Sequence, residues 1–324
     1  MNNPTPRSAT RTSVANPMLL PIAALVTGAI AMGISPVFVR LAEVGPFTSA
    51  FWRVFAALPF LWVWASLETG SKPLRDGWSP SVVLAGAFFA GDLFFWHLAI
   101  FNTSIANATF LATMAPVWVL LGSGIILKER VTHAMWLGLA FCLAGAGALV
   151  GSNLSLGPGK LTGDFYGLVT SLFLGAYIMA TRRGRAGIGP GGLMFRSAVV
   201  TATLLLLAAL SLENRFLPET LQGVLALAGL ALLAHAAGQG LLAYSLGHLT
   251  AGFSALVIFL EAVVAAAFAW AALGEALTIL QTIGGLLILG GIWIARPVSP
   301  PDRVGLPCTT PKAEAVDPDN PKRP

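Results

Sequence analysis

The feature that most constrains this 324-residue chain is a series of apolar runs, each close to the roughly 20 residues a helix needs to cross a bilayer. They fall at 18 to 39, 46 to 66, 80 to 100, 104 to 126, 133 to 150, 163 to 181, 190 to 211, 222 to 246, 250 to 271 and 278 to 295, and predict ten transmembrane helices. Hydrophobic residues make up 56% of the chain and charged ones 10%, against about 25% charged in an ordinary soluble domain. No single soluble core buries that much apolar surface, so lipid is the expected solvent. Pro21, Pro36, Pro46, Pro80, Pro190 and Pro218 fall near predicted helix ends, where a missing amide donor costs little. Pro59 and Pro116 fall inside runs and predict kinks.

Residues 1–17 are polar, with no apolar stretch leading to a small-residue cleavage site, and read as a disordered tail rather than a signal peptide. Residues 296–324, rich in proline and charge without apolar periodicity, read as a second disordered tail. Cys142 lies in an apolar run and Cys308 in the tail, too few for a disulfide framework or a metal site. No metal and no cofactor is expected, and Cys142 reads as core packing. The net charge of +5 sits at the ends of apolar runs rather than on an aromatic-studded face, which argues against a nucleic-acid partner. With the N-terminus inside, fourteen Lys and Arg residues fall on internal segments and only Arg40, Lys160 and Arg215 on external ones. That asymmetry predicts both termini in the cytoplasm of a multi-pass plasma-membrane protein, with a bacterial inner membrane the expected location.

The pattern L-x-E-x-x-T-x-x-x-x-x-G occurs twice, as LKERVTHAMWLG at 127–138 and LGEALTILQTIG at 273–284, an offset of 146. The same offset relates Val117 to Val263, Leu143 to Leu289 and Gly145 to Gly291. A duplicated five-helix unit follows, residues 18–150 and 163–295, joined by an external linker at 151–162. Because five is odd, the second unit enters the membrane from the opposite side, the inverted arrangement of secondary transporters. Glu129 and Glu275 then lie on opposite faces. Each Glu reads as an acid near the start of the following helix, where the macrodipole favours it, and each Gly as a point of close helix approach. The ladders Ala140, Ala144, Ala148 and Gly284, Gly291 read as packing within a monomer, with a dimer seam as the alternative.

Three stretches carry a family resemblance: LAIFNTSIANATFLATMAPVWVLLGSGIILKERVTHAMWLGLAFCLAGAGALV (98–150), GDFYGLVTSLFLGAYIMATRR (163–183) and AYSLGHLTAGFSALVIFLEAVVAAAFAWAALGEALTILQTIGGLLILGGIWIA (243–295). Through them the chain resembles the drug/metabolite transporter superfamily in its ten-helix EamA-type branch, and within it bacterial amino-acid exporters of the aromatic type. The resemblance implies an all-α membrane protein whose two inverted five-helix repeats surround a central cavity. It also implies a lining drawn chiefly from helices 1, 3, 4, 6, 8 and 9 and closed alternately on each side. The branch's usual proline in the ninth helix, matching Pro116, is here Ala262 preceded by Glu261. The sequence therefore supplies a proline kink to only one helix of that pair.

An ionisable side chain at membrane depth costs about 2.5 to 3.5 kcal/mol on insertion scales, so each needs a partner, a wet cavity or a role. The candidates are Arg53, Asp92, His97, Arg196, His235 and Glu261. Arg53 and Asp92 fall at matched depths in helices 2 and 3 and read as a structural ion pair; the alternative is that Asp92 binds a substrate ammonium or a proton. Asp92 and Trp96 share a face at i and i+4, so a carboxylate beside an indole can hold an amino group and an apolar side chain together. His97 reads as a neutral ring bonded to a backbone carbonyl, with cavity lining as its alternative. Glu261, midway along helix 9 on a face with Ser254 and Ile258, is the leading candidate for proton coupling, and a structural carboxylate is the competing reading. His235 and Gln239 at i and i+4 read as cavity lining or as helix-to-helix hydrogen bonds. Helix 4 adds Asn107, Thr109, Thr113 and Trp118, with carbonyls freed by Pro116, and helix 6 adds Tyr177.

These readings converge on a secondary transporter, not an enzyme, exporting small amino acids or related metabolites by alternating access, as a uniporter or with protons. The missing Walker-type G-x-x-x-x-G-K-[ST] pattern argues against ATP hydrolysis by this chain. A carrier of nucleotide sugars or phosphorylated metabolites would want several cations in its cavity, and drug-like solutes are a further alternative. Without H-E-x-x-H, G-x-S-x-G or a His/Cys/Asp cluster at ligand spacing, an intramembrane enzyme is the weakest reading.

Overall fold

The computed structural model describes residues 18–69, 77–103, 105–151, 160–273 and 278–297. The predictions for residues 1–17, for most of the 151–162 linker, for Glu275 and for the tail beyond residue 297 fall outside them. Among the described residues all regular structure is helical. Nine helices among the described residues have the length and hydropathy of a membrane span: α1 Leu19–Val39, α2 Pro46–Glu68, α3 Pro80–Asn102, α4 Phe110–Leu127, α5 His133–Val150, α6 Leu161–Gly184, α7 Pro190–Leu212, α8 Leu221–Leu246 and α9 Ala251–Phe268. A tenth, α10, Ile279–Ala295, is apolar and 17 residues long. Each matches one predicted run.

Local chemistry explains the boundaries. Pro46, Pro80 and Pro190 open α2, α3 and α7, where no intrahelical partner for the amide is lost. Hydroxyls cap α3 and four other starts: Ser79, Thr132, Thr220, Thr250 and Thr278 accept from the amides of Val82, Met135, Gly223, Phe253 and Gln281 at 3.2 to 3.4 Å. Thr132 and Thr278 are the threonines of the repeated motif, so its threonine is a helix cap. Its glutamate does something other than predicted. Glu129 does not serve the start of α5, which follows it in sequence; its Oε2 accepts from the amide of Ala251 at 2.8 Å, at the start of α9. Lys128, left-handed at φ 56, turns the chain that way.

The helices do not pack in sequence order. α2 lies chiefly against α7, α3 along α6, α5 along α10, α1 against α8 and α9, and α4 against α6. Exchanging α1 with α6, α2 with α7, α3 with α8, α4 with α9 and α5 with α10 maps this set of contacts onto itself. The α5–α10 seam shows the inverted repeat most directly. A Cβ on Gly138 would lie 2.5 Å from the carbonyl oxygen of Gly291, and one on Gly145 would lie 2.5 Å from that of Gly284. The sequence offset converts each of these contacts into the other, as two-fold related halves require. Cys142 is buried in the same seam, its thiol 3.6 Å from the carbonyl oxygen of Ile288. Large apolar side chains such as Ile125, Leu207 and Leu286 face outward, where only lipid covers them without cost.

The loops define two faces. Glu68, Lys128, Arg182 and Ala251 stand at ends that share one face; Gly45, Thr103, Asp164 and Thr220 share the other. They are called the Arg182 face and the Gly45 face below.

Candidate substrate-binding cavity

A cavity of about 170 Å³ lies among the helices at the places where they break. α1 is interrupted at Ile34, two residues before Pro36; α2 at Ala56 and Ala57, before Pro59; and α4 at Thr113 and Met114, before Pro116. Each proline removes a ladder donor and crowds the carbonyl four residues back, and each break falls between that carbonyl and the proline. α9 breaks as well, at Phe259, although it has no proline there. The expectation of a kink in only one helix of the α4–α9 pair is therefore corrected. Tight turns replace the ladder in both: Met114 N to Leu111 O at 3.1 Å and Val117 N to Met114 O at 2.9 Å, against Phe259 N to Leu256 O at 3.2 Å and Ala262 N to Phe259 O at 3.1 Å.

Arg53, Asp92 and Glu261 all line this cavity, with Trp96, Thr113 and Gln239 from the predicted set. The predicted Arg53–Asp92 ion pair is not formed. Among the described residues the ion pairs within 4.0 Å are Arg182–Glu129 and Arg215–Glu219. α2 packs chiefly on α7 rather than along α3, and both head groups line the cavity. Arg53 instead stands over the ring of Phe89, 5.9 Å from its centroid, and its Nε has no hydrogen-bond partner. Thr113, at the break in α4, donates its hydroxyl to the carbonyl of Phe110 at 2.6 Å.

The Thr109 side chain lies outside the described residues; the other candidates lie off the cavity wall, bonded within their own helices or packed on neighbours. His97 Nδ1 meets the carbonyl of Leu93 at 2.5 Å, the backbone bond that was its leading reading. Asn107 donates to Asp164 Oδ1 at 3.0 Å on the Gly45 face, where the Thr103 hydroxyl donates to the same oxygen at 2.7 Å. Trp118 donates its indole N–H to Ser171 at 2.8 Å. Tyr177 donates to Gln239 Oε1 at 3.0 Å, just behind the lining. His235 stacks on Phe89 with ring centroids 5.4 Å apart, and Ser254 is wholly buried. Arg196, also buried, donates to the carbonyl of Gly192 at 2.9 Å and is not on the wall. Sequence reasoning did not single out Ser35, Phe89 or Thr170, which do line the cavity. A serine, a phenylalanine and a threonine in apolar runs carry no signal that separates lining from packing.

The geometry is that of a mid-membrane chamber between two inverted halves, with one guanidinium and two carboxylates on a largely apolar wall. The EamA-like transporter family matches residues 19–151 and again residues 161–296. The chain belongs to the EamA-like transporter family. Similar proteins include an "uncharacterized transporter" of Archaeoglobus fulgidus, 28% identical over 281 residues, covering 84% of this chain and 95% of that protein. A second transporter so described from the same organism is 25% identical over 263 residues, covering 79% and 89%. One protein crystal structure matches with a TM-score of 0.75 at 20% identity, covering 85% of this chain and 96% of its own, a likeness of fold. As an EamA-like transporter, the chain is a multi-pass membrane protein that carries a small-molecule substrate through the bilayer.

Proposed function

We propose that this EamA-like transporter exports small amino acids by alternating access, with Arg53 binding the substrate carboxylate and Asp92 or Glu261 its ammonium group. One observation carries the reading: Arg53, Asp92 and Glu261 line one cavity without the Arg53–Asp92 pairing that would neutralise them. Buried charges left unpaired by protein are stabilised when a ligand supplies the opposite charges. A zwitterion does so on both sides, with the guanidinium suited to two-pronged carboxylate binding and Trp96 and Phe89 offering rings to an apolar side chain. A phosphorylated solute fits less well, because two carboxylates oppose it and one cation attracts it.

With all three side chains ionised, the cavity carries one net negative charge, and a zwitterion leaves that unchanged. Protonation of one carboxylate removes it, which supports exchange of substrate for protons, with Glu261 as the carrier. The proposal also takes residues 18–150 and 163–295 as the two repeats, a monomer as the working unit, and both termini on the cytoplasmic side of a bacterial inner membrane. On that orientation the Arg182 face is cytoplasmic.

The test is counterflow of labelled amino acids into proteoliposomes, with no ion gradient and then with an imposed pH gradient, for the native protein and Glu261→Gln. Uptake that follows the pH gradient in the native protein and not in Glu261→Gln is the expected result. Uptake indifferent to both would make this a uniporter with a structural Glu261. Failure of every amino acid to exchange, with the protein still folded, would refute the substrate class.

A further inference from the structure

Three helices carry their cavity-lining faces onward toward the Arg182 face. On α6, Thr170 and Leu174 line the cavity, and Tyr177 and Thr181 continue the same stripe at helical spacing. On α9, Glu261 and Ile258 line it and Ser254 and Ala251 follow; on α8, Gln239 and Leu242 line it and Leu246 follows. All three stripes end on one ion pair, Glu129–Arg182. Glu129 Oε1 accepts from Arg182 Nε at 2.6 Å, Glu129 Oε2 from the Ala251 amide at 2.8 Å, and the same Arg182 donates through Nη1 to the Leu246 carbonyl at 3.0 Å. The ion pair is buried, with 5% of the Glu129 side chain and 10% of the Arg182 side chain exposed.

Between cavity and ion pair the stripes are polar where packing alone would make them apolar. Tyr177 and Gln239 close on each other at 3.0 Å, and the hydroxyls of Thr181 and Ser254, both wholly buried, have no hydrogen-bond partner. A buried unsatisfied hydroxyl costs about 1 to 3 kcal/mol. Two of them on one line are explained if water reaches them in another state of the protein, where the cost disappears.

We propose that this line is the collapsed half of the translocation path, and that Glu129 and Arg182 form the latch that keeps it shut while the cavity communicates with the Gly45 face. The proposal rests on the alternating-access reading, but not on the identity of the substrate. Glu129, in the loop after α4, ties the start of α9 to Arg182 of α6, and Arg182 in turn reaches the end of α8, so releasing the ion pair uncouples α9 from the other two helix ends. The Arg182 side chain is the part of this device that the repeat does not duplicate: the offset of 146 places Pro36 at its counterpart. The latch therefore favours the state described here, closed at the Arg182 face, over its inverted twin.

The experiment uses the full chain with Cys142 and Cys308 replaced by alanine and single cysteines introduced at Ser254 or Ile258. Labelling by a charged, membrane-impermeant thiol reagent is followed from each face, without substrate, in cells and in inverted vesicles. With the latch intact, the Ile258 site should label from the Gly45 face and the Ser254 site slowly from either. Glu129→Gln or Arg182→Gln should speed labelling of the Ser254 site from the Arg182 face at least tenfold. Glu68→Gln, which removes a carboxylate from another helix start on the same face, should leave it unchanged. Unchanged Ser254 labelling in a folded latch variant overturns the proposal, and so does fast labelling from the Arg182 face with the latch intact. The latter measurement decides even if both latch variants misfold. Since no substrate is added, a wrong substrate class would not disturb any of these outcomes.

Discussion

The α5–α10 seam allows a prediction with an internal control. Alanine at position 145 places its Cβ 2.5 Å from the carbonyl oxygen of Gly284, where ordinary contact begins at 3.4 Å, so the two helices must part by close to 0.9 Å. Neither neighbour can yield locally, because the obstacle is backbone. Overpacking of this kind costs about 1 to 3 kcal/mol, while replacing glycine with alanine inside a helix returns about 1 kcal/mol of propensity. Gly147, on the same helix, separates the two effects: a Cβ there lies 3.6 Å from a ring carbon of Phe110, an ordinary contact. Gly147→Ala should hold or raise the apparent melting temperature in detergent, and Gly145→Ala should lower it relative to Gly147→Ala by the equivalent of about 1 to 3 kcal/mol. Gly138→Ala, at the other close approach in the seam, should behave as Gly145→Ala does. The double variant Gly138→Ala, Gly145→Ala should lose less than the sum, since one helix separation relieves both clashes. Equal melting temperatures for Gly145→Ala and Gly147→Ala would refute the close-approach reading of the repeated glycine.

Three further outcomes follow from the site and its surroundings. Arg53→Gln should weaken exchange of free amino acids roughly 10- to 150-fold, the loss of a hydrogen bond to a charged group at about 1.5 to 3 kcal/mol, while leaving their carboxyl esters little affected; equal losses for acid and ester would remove Arg53 from carboxylate binding. Trp96→Ala should reduce the preference for aromatic over small aliphatic amino acids in competition assays, and an unchanged ranking would assign the indole to packing alone. Glu43, outside the spans, accepts from the Thr220 hydroxyl at 2.7 Å and amide at 3.0 Å, and the hydroxyl above all holds its carboxyl below the usual carboxylate range. A carboxyl with a depressed folded value stabilises above its unfolded value, about 4.3, and loses that contribution as pH falls through the folded one. The melting-temperature gap between the native protein and Glu43→Gln should thus be present at pH 6 and shrink below pH 4; a gap that persists in acid would contradict the assignment.

What the sequence disclosed and what it concealed divide along a physical line. Ten spans were legible because a bilayer demands long unbroken apolar runs, and the inverted repeat was legible because LKERVTHAMWLG and LGEALTILQTIG preserve spacing. Asp92 and Glu261 stood out because charge inside such runs is costly unless it is used. Helix rotation was not legible: every span is apolar on nearly all sides, so no polar stripe tells which residue faces the cavity. His97, Trp118 and Tyr177 accordingly turned out to bond sideways to backbone or neighbouring helices. Partnership was not legible either. Helices 2 and 3 are consecutive, yet α2 spends its contacts on α7, and the partner of Glu129 lies 53 residues away on α6. The break in α9 at Phe259 had no proline to announce it.

In the proposed alternation, the carboxylate caps separate the parts of the fold that hold from those that move. Glu68, at the end of α2, accepts from the amides of Gly191 and Gly192 at the start of α7, at 3.0 and 3.2 Å. Glu213, just past the end of α7, accepts from the amides of Phe47 and Thr48 at the start of α2, at 2.7 and 2.9 Å. Each glutamate meets the positive end of the other helix, so the pair is tied on both faces, and each tie is worth about 0.3 to 1 kcal/mol or somewhat more where it is part-buried. α2 and α7 therefore cannot splay at one face without losing a cap at that face. On the Arg182 face α9 is tied to α6 and α8 through Glu129 and Arg182, and the proposed opening there breaks that latch. A break in a helix is consequently not in itself a hinge: the interruption at Ala56 and Ala57 lies within the doubly tied pair, close to Arg53, and serves to set that side chain at the cavity. The paired interruptions at Met114 and Phe259 lie in α4 and α9, which lead directly to the loop and the helix start that Glu129 joins. In the proposed alternation those two breaks are where the helices pivot, and the α2–α7 pair is the frame against which they do so.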